Sequence, residues 1–137
     1  MPFNVRRADY FYAMLSDEPG EAYRFLSQLE EIGTNLLAFA AVPVGPARTQ
    51  ITLFPDDVRR LQNDAIRAGM TLDGPHPALL VRGDDELGAL AGIHEQLFKS
   101  GVNVAASSGV SDGDGGYAYV IYVRPEEYDR AVAALGI

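Results

Sequence analysis

Two short acidic loops carry the residues best suited to chemistry: Asp17-Glu18-Pro19-Gly20 and, 68 positions later, Asp85-Glu86-Leu87-Gly88. Each stands where a strand should hand over to a helix. A glycine there lets backbone approach a ligand closely, and the amides of a helix's first turn, which have no partner inside the helix, can hold a carboxylate. The neighbouring acids can hold an ammonium. Asn35 and Asn103, each two residues past a helix-stopping glycine, are expected beside these loops and supply an amide that both donates and accepts. An amino acid needs such a mixed site. A second reading stands beside this one: Asp17 and Asp85 as helix caps, Pro19 fixing φ, the glycines meeting turn geometry and the asparagines in left-handed turn positions.

Other chemistry is sparse. His76 lies between two prolines with no carboxylate or nucleophile expected to work with it, and neither it nor His94 has a second histidine or a cysteine nearby to suggest a metal set. His94 aligns with Leu26 in the repeat described below, at the edge of a helix stripe. Asp112-Gly113-Asp114-Gly115-Gly116 opens like a calcium loop, but the twelfth position is Val123 rather than Glu, so a hairpin turn is expected. Phosphate-loop, dinucleotide and nucleophile-elbow motifs are missing. Catalytic residues, a metal site and a cofactor are therefore not expected. The absence of cysteine excludes thiol chemistry and fits a reducing cytoplasm.

Charge narrows the partners. With 19 acidic against 11 basic residues and a net charge of −8, a grip on phosphate backbones is disfavoured, so Tyr10-Phe11-Tyr12 reads as strand packing rather than a base-stacking platform. Neither nucleic acid nor an anionic membrane is an expected partner. No stretch approaches the roughly 18 apolar residues that span a bilayer, and the N-terminus lacks a signal-peptide core.

The elements that must position the loops follow from periodicity. Residues 8 to 15 read as a strand; Ala22, Phe25, Leu26, Leu29 and Ile32 form one helical stripe that Gly33 stops. Leu36 to Val42 and Gln50 to Phe54 read as strands joined by a hairpin. Pro55-Asp56-Asp57 then opens a helix with the stripe Val58, Leu61, Ala65, and Met70 to Asp73 suggests a short fourth strand.

The order then repeats. A shift of 68 places Asp17, Glu18, Gly20, Gln28, Leu29, Gly33, Asn35, Ala38 and Val42 on identical residues from Asp85 to Val110. The second hairpin turn, Ser111 to Gly116, is expected to be longer by two residues, giving a shift of 70 beyond it that sets Ile51 and Pro55 on Ile121 and Pro125. The expected class is α+β: two ferredoxin-like βαββαβ repeats, 1–74 and 75–137, with antiparallel sheet and helices on one face. The second repeat ends at Ile137 directly after its helix, so its final strand is expected to be missing, which leaves a sheet edge short of a partner unless Met70 to Asp73 or the N-terminus fills it. Several strands, Tyr117 to Val123 among them, are apolar in both phases, which implies a covered second face and favours a homo-oligomer, most simply a dimer.

Asp17-Glu18-Pro19-Gly20 followed by Gly33-Thr34-Asn35-Leu36, echoed by Gly88 and Gly101-Val102-Asn103-Val104, resembles the ACT domain family over nearly the whole chain. The resemblance implies a non-enzymatic regulatory module that binds an amino acid or similar metabolite where paired domains meet. It also implies candidate ligand residues Asp17, Glu18, Pro19, Gly20 and Asn35 in the first repeat, and Asp85, Glu86, Gly88 and Asn103 in the second. Leu87 stands where the family pattern favours Pro. No catalytic or DNA-binding domain accompanies the pair in this sequence, so the output is expected to pass through a separate protein partner or the oligomer. Two other classes fit the same fold: a small dimeric-barrel enzyme with an apolar cavity, and a ligand-free assembly module.

Overall fold

The chain, a computed structural model describing residues 3–84 and 87–137, runs β1 (Phe3–Ser16), α1 (Glu21–Glu31), β2 (Leu36–Pro43), β3 (Arg48–Pro55), α2 (Val58–Arg67), β4 (Asp73–Asp84), α3 (Ala89–Lys99), β5 (Val104–Ser111), β6 (Gly116–Val123), a 3-10 turn (Pro125–Glu127) and α4 (Tyr128–Ala134). The expected α+β class is the one observed. Two compact units form, one of Asp9–His76 and one of residues 3–8 with Pro77–Ile137.

In the first unit the strand order is β2-β3-β1-β4, the ferredoxin-like arrangement. Antiparallel pairing sets Phe11 and Phe39 opposite Leu53, and Ala13 and Ala41 opposite Ile51. Side chains alternate across a strand, so these rows share one face. Phe25 and Leu29 of α1 and Leu61 and Ala65 of α2 pack with Phe11, Ala13, Ile51 and Leu53 of that face into a single core. Burial of each large side chain there is worth roughly 1.5–3 kcal/mol. Asp57 caps α2, its carboxylate accepting from the Arg60 amide at 3.1 Å. Pro55 therefore closes β3 instead of opening the helix, as had been expected.

In the second unit the order is β1-β4-β6-β5. Leu79 faces Ile121 and Val81 faces Tyr119, and these pack with Ile93 and Leu97 of α3 and with Ala131, Val132 and Leu135 at the C-terminus. Phe3 and Val5 join this core. The final strand that the second repeat lacks in sequence order is thus supplied by the first residues of the chain. β1 is long because its residues 3–8 serve the second unit and the remainder the first.

Three further expectations change. The division at 74/75 gives way to units in which residues 3–8 belong with the second repeat and residues 75–76 with the first. The short strand expected at Met70–Asp73 does not form: β4, the first strand of the second repeat, begins at Asp73, while Met70 and Leu72 precede it and pack on the first core. Gly74 lets β4 start against β1: at φ 147° it sits where a Cβ would lie 2.8 Å from the Phe11 ring and from the Tyr10 carbonyl oxygen. The two-residue insertion also moves. Ala41 faces Ile51 as Gly109 faces Tyr119, so the 68-residue shift holds through both hairpins. The extra residues lie instead between β6 and α4, taken up by the 3-10 turn.

In the first unit one sheet face carries α1 and α2. On the other face of the first unit, Met14, Gln50 and Val42 form a row, with Met14 39% and Val42 48% exposed. Among the described residues of the unit, no helix lies across that row, so the expected second cover is not supplied there.

Candidate functional site

A groove of about 360 Å³ opens in the first unit between the Ser16–Glu18 turn, the start of α1 and the edge of the sheet. It exists because α1 and α2 cover the sheet centre and leave the helix-side face of β2 uncovered, with Phe39 37% exposed. Asp17, Glu18 and Glu21 form an acidic wall; Leu15, Ala41 and Ile51 form an apolar floor, and Thr49 adds a hydroxyl. The Asp17 amide donates to the Ala47 carbonyl at 2.9 Å, which fixes the loop against the β2–β3 hairpin. Arg24 offsets part of the acidic charge, its Nη1 lying 3.4 Å from Glu21 Oε1.

Gly20 is the N-cap of α1, left-handed at φ 88°, and no side chain caps the helix. Asp17 is therefore not a helix cap. The Glu21 amide donates to the Glu18 carbonyl at 3.3 Å, and no side chain takes the amides that follow it in the first turn, at the mouth of an acidic groove. The arrangement can bind a molecule with one anionic and one cationic end.

The second unit carries a cavity of about 690 Å³ at the corresponding place, lined by Leu87, Gly88, Leu90, Gly109, Ser111 and Tyr117 among others. Gly88 repeats the left-handed N-cap of Gly20, at φ 81° and again without a side-chain cap. Asp85 and Glu86 lie outside the described residues.

The asparagines are elsewhere. β2 starts opposite Pro55 and β1 ends opposite Arg48, so Asn35 lies at the far end of β3 from Asp17, about 23 Å away along eight residues. Asn35 accepts from the Asp56 amide through its carbonyl at 2.9 Å, and the Asn103 amide donates to Glu127 Oε2 at 3.3 Å. Both asparagines tie a strand start to the entry of the following helix. Neither is left-handed; Ala47 is the positive-φ residue other than glycine among those described. The groove uses instead Glu21, Ala41 and Thr49, which single-residue chemistry does not mark. The topology could have found them, since β2 in a βαββαβ unit starts at the end remote from the β1–α1 loop.

The histidines also have partners. His76 Nε2 donates to Asp73 Oδ1 at 2.8 Å, and its ring stacks on Tyr12 at 5.2 Å between centroids. The carboxylate expected to be missing is thus three residues away. Hydrogen bonds from Tyr12 and then His76 hold the Asp73 carboxyl below its usual range, and the same bond raises Tyr12. His94 Nε2 and the Tyr119 hydroxyl lie 2.6 Å apart, a packing role that suits a stripe-edge position. Among the described residues, no cluster of three or more metal-ligating side chains occurs.

Comparison with solved structures settles the fold. Protein BT0572 from Bacteroides thetaiotaomicron superposes with a TM-score of 0.78 at 16% identity, over 96% of this chain and 88% of that one. The regulatory subunit of aspartate kinase from Thermus flavus gives 0.62 at 15% identity, over 98% and 95% of the two chains. Aspartokinase alpha and beta subunits give 0.60 at 16%, again over 98% and 95%. The fold is of the ACT type. No family model matches the sequence, and no curated protein does. In this ACT-type pair the acidic groove sits at the β1–α1 junction of the first unit, and the larger cavity at the β4–α3 junction of the second.

Proposed function

We propose that the chain is a non-enzymatic regulatory module whose first unit senses an amino acid in the groove beside Asp17, Glu18, Pro19 and Gly20. The observation that carries this reading is the uncapped, glycine-started helix N-terminus opening onto an acidic groove. The ligand carboxylate takes the first-turn amides of α1, its ammonium takes the carboxylates of Asp17 and Glu18, and its side chain lies over Ala41 and Ile51. Likeness in fold to aspartate kinase regulatory subunits supports the regulatory part. The Asn35 role is not carried over, because that residue lies at the far end of β3.

The module works as a homo-oligomer, most simply a dimer, and passes its signal to a separate protein. Two features support assembly: the uncovered Met14 and Val42 row, and β2, whose residues Leu36–Pro43 include no charge although the strand is an edge. Cysteine-free composition supports a cytoplasmic setting, and among the described residues no helix is long and apolar enough to cross a membrane.

Calorimetry and thermal shift against the twenty amino acids test the sensor. At least one should bind, and at about 100 times its Kd it should add roughly 2.7 kcal/mol of stability. Gly20→Val should weaken that gain more than it lowers apo stability, since a side chain at the helix start blocks the close approach of a ligand to the backbone. No binding by any amino acid at millimolar concentration overturns the reading. Light scattering on a sizing column tests assembly, with a single-chain mass at micromolar concentration counting against it.

A further inference from the structure

The sheet face of the first unit that carries no helix has a defined chemistry. Side chains alternate along a strand, so with Phe11, Ala13, Ile51 and Leu53 packed under the helices, Tyr12, Met14, Gln50 and Thr52 point the other way. Pairing sets them, with two residues of β2, in two rows: Tyr12, Thr52 and Ala40, then Met14, Gln50 and Val42. None of the six is charged, in a chain with 19 acidic and 11 basic residues. Charges stand at the margin instead. Arg48 occupies the next row, opposite Ser16, and Asp73 is held by hydrogen bonds from Tyr12 and His76. An apolar centre with a polar rim is the anatomy of a protein interface.

Two properties point to a second copy of this chain as the occupant. A chain of net charge −8 meets its own copy against repulsion, and a face without charge allows contact that brings no like charges together. The face also complements itself in shape. Its large side chains, Tyr12 and Met14, lie on β1 and its smallest, Ala40, on β2, with β3 between the two strands. A two-fold axis running along β3 lays β1 of each copy over β2 of the other, so large side chains cover small ones on both sides. An axis across the strands would stack β1 on β1. The first axis also sets each Gln50 opposite its own counterpart, where a primary amide, donor and acceptor at once, pairs with its like. Sheets packed in this aligned way lie ~10 Å apart.

We propose that the helix-free face of β1, β2 and β3 docks on the same face of a second copy, about a two-fold axis along β3 that pairs Gln50 with Gln50. The proposal rests on the homo-oligomer reading above and names the surface that makes the oligomer. Met14, 39% exposed, and Val42, 48% exposed, leave water when the copies meet.

Light scattering on a sizing column, run over a concentration series with the full chain, tests the assignment. Gln50→Glu and Gln50→Lys each set like charges against one another and should weaken self-association tenfold or more, with circular dichroism unchanged. An equimolar mixture of the two variants should recover the dimer, because opposite charges then meet across the axis. Val42→Asp, at an exposed position of the edge strand, should also weaken the dimer tenfold or more and serves if changes at Gln50 unfold the chain. Phe98→Asp, on α3 and 80% exposed, should leave the dimer intact. A single-chain mass for the unaltered protein overturns both the homo-oligomer reading and this interface. A dimer that survives the Gln50 variants and Val42→Asp, or that Phe98→Asp alone dissociates, overturns the interface and leaves the homo-oligomer reading standing. Folded Gln50 variants that stay monomeric when mixed overturn the pairing of Gln50 with Gln50.

Discussion

Removing the side chains that tie the start of the chain to the second core tests the strand sharing directly. Phe3 and Val5 are both partly buried against Leu79, Ile121 and their neighbours. Truncating a fully buried Phe to Ala costs about 3–5 kcal/mol, and a smaller aliphatic residue costs less. With both sites about half buried, Phe3→Ala with Val5→Ala should cost ~2–3 kcal/mol, a large part of the ~5–15 kcal/mol that a domain has. Urea unfolding followed by circular dichroism gives the total, and native-state hydrogen exchange gives its location. Slowly exchanging amides of the β4–β6 ladder, such as Val81 and Ile121, should speed up by about 30- to 150-fold, at ~1.36 kcal/mol per tenfold. Those of Ile51 and Leu53 in the first unit should change far less. A loss below about 0.5 kcal/mol would refute the reasoning. So would equal acceleration in both units, because residues 3–8 would then not be the missing strand of the second repeat.

Tyr119→Phe keeps the ring against Gly109 but removes the 2.6 Å bond to His94, so it should cost ~0.5–1.5 kcal/mol in chemical denaturation; no loss would mean that water replaces the bond. The Asp73 carboxyl is lowered from 3.8, first by the Tyr12 hydrogen bond and then by His76, and Asp112 is lowered by the amides of Asp114 and Gly116. A depressed acid contributes stability above its unfolded value, and that contribution disappears as pH falls through the folded value. Stability should therefore fall on acidification below about pH 4. Asp73→Asn should make this acid limb shallower, and an unchanged pH profile would count against the Tyr12–Asp73–His76 cluster.

Local order was legible in the sequence because it depends on local physics. The stripe from Phe25 to Leu29, the glycines after α1 and α3, and the 68-residue echo all express helix periodicity, left-handed backbone and one pattern used twice. Element order then led to the ferredoxin-like class and the ACT-type fold. The position of the two-residue insertion could not be read, since side chains alternate with period two and sliding β6 by two residues leaves every side chain on the same face. Only the pairing of Gly109 with Tyr119 decides it.

Tertiary structure alone decided three other points. A strand's partner is set by where free edges meet in space, so no local signal could assign residues 3–8 to a unit whose other residues begin at Pro77. Asn35 resembled a neighbour of Asp17 because both are polar residues beside a turn, whereas chain direction through β3 sets them about 23 Å apart. Asp17, Glu18, Glu21 and Thr49 come together because the β1–α1 loop docks on the β2–β3 hairpin, a contact between segments about 30 residues apart that residue type and spacing do not encode. The sequence determined which elements form and which residues could do chemistry; the meeting of remote segments determined which of those residues share a site.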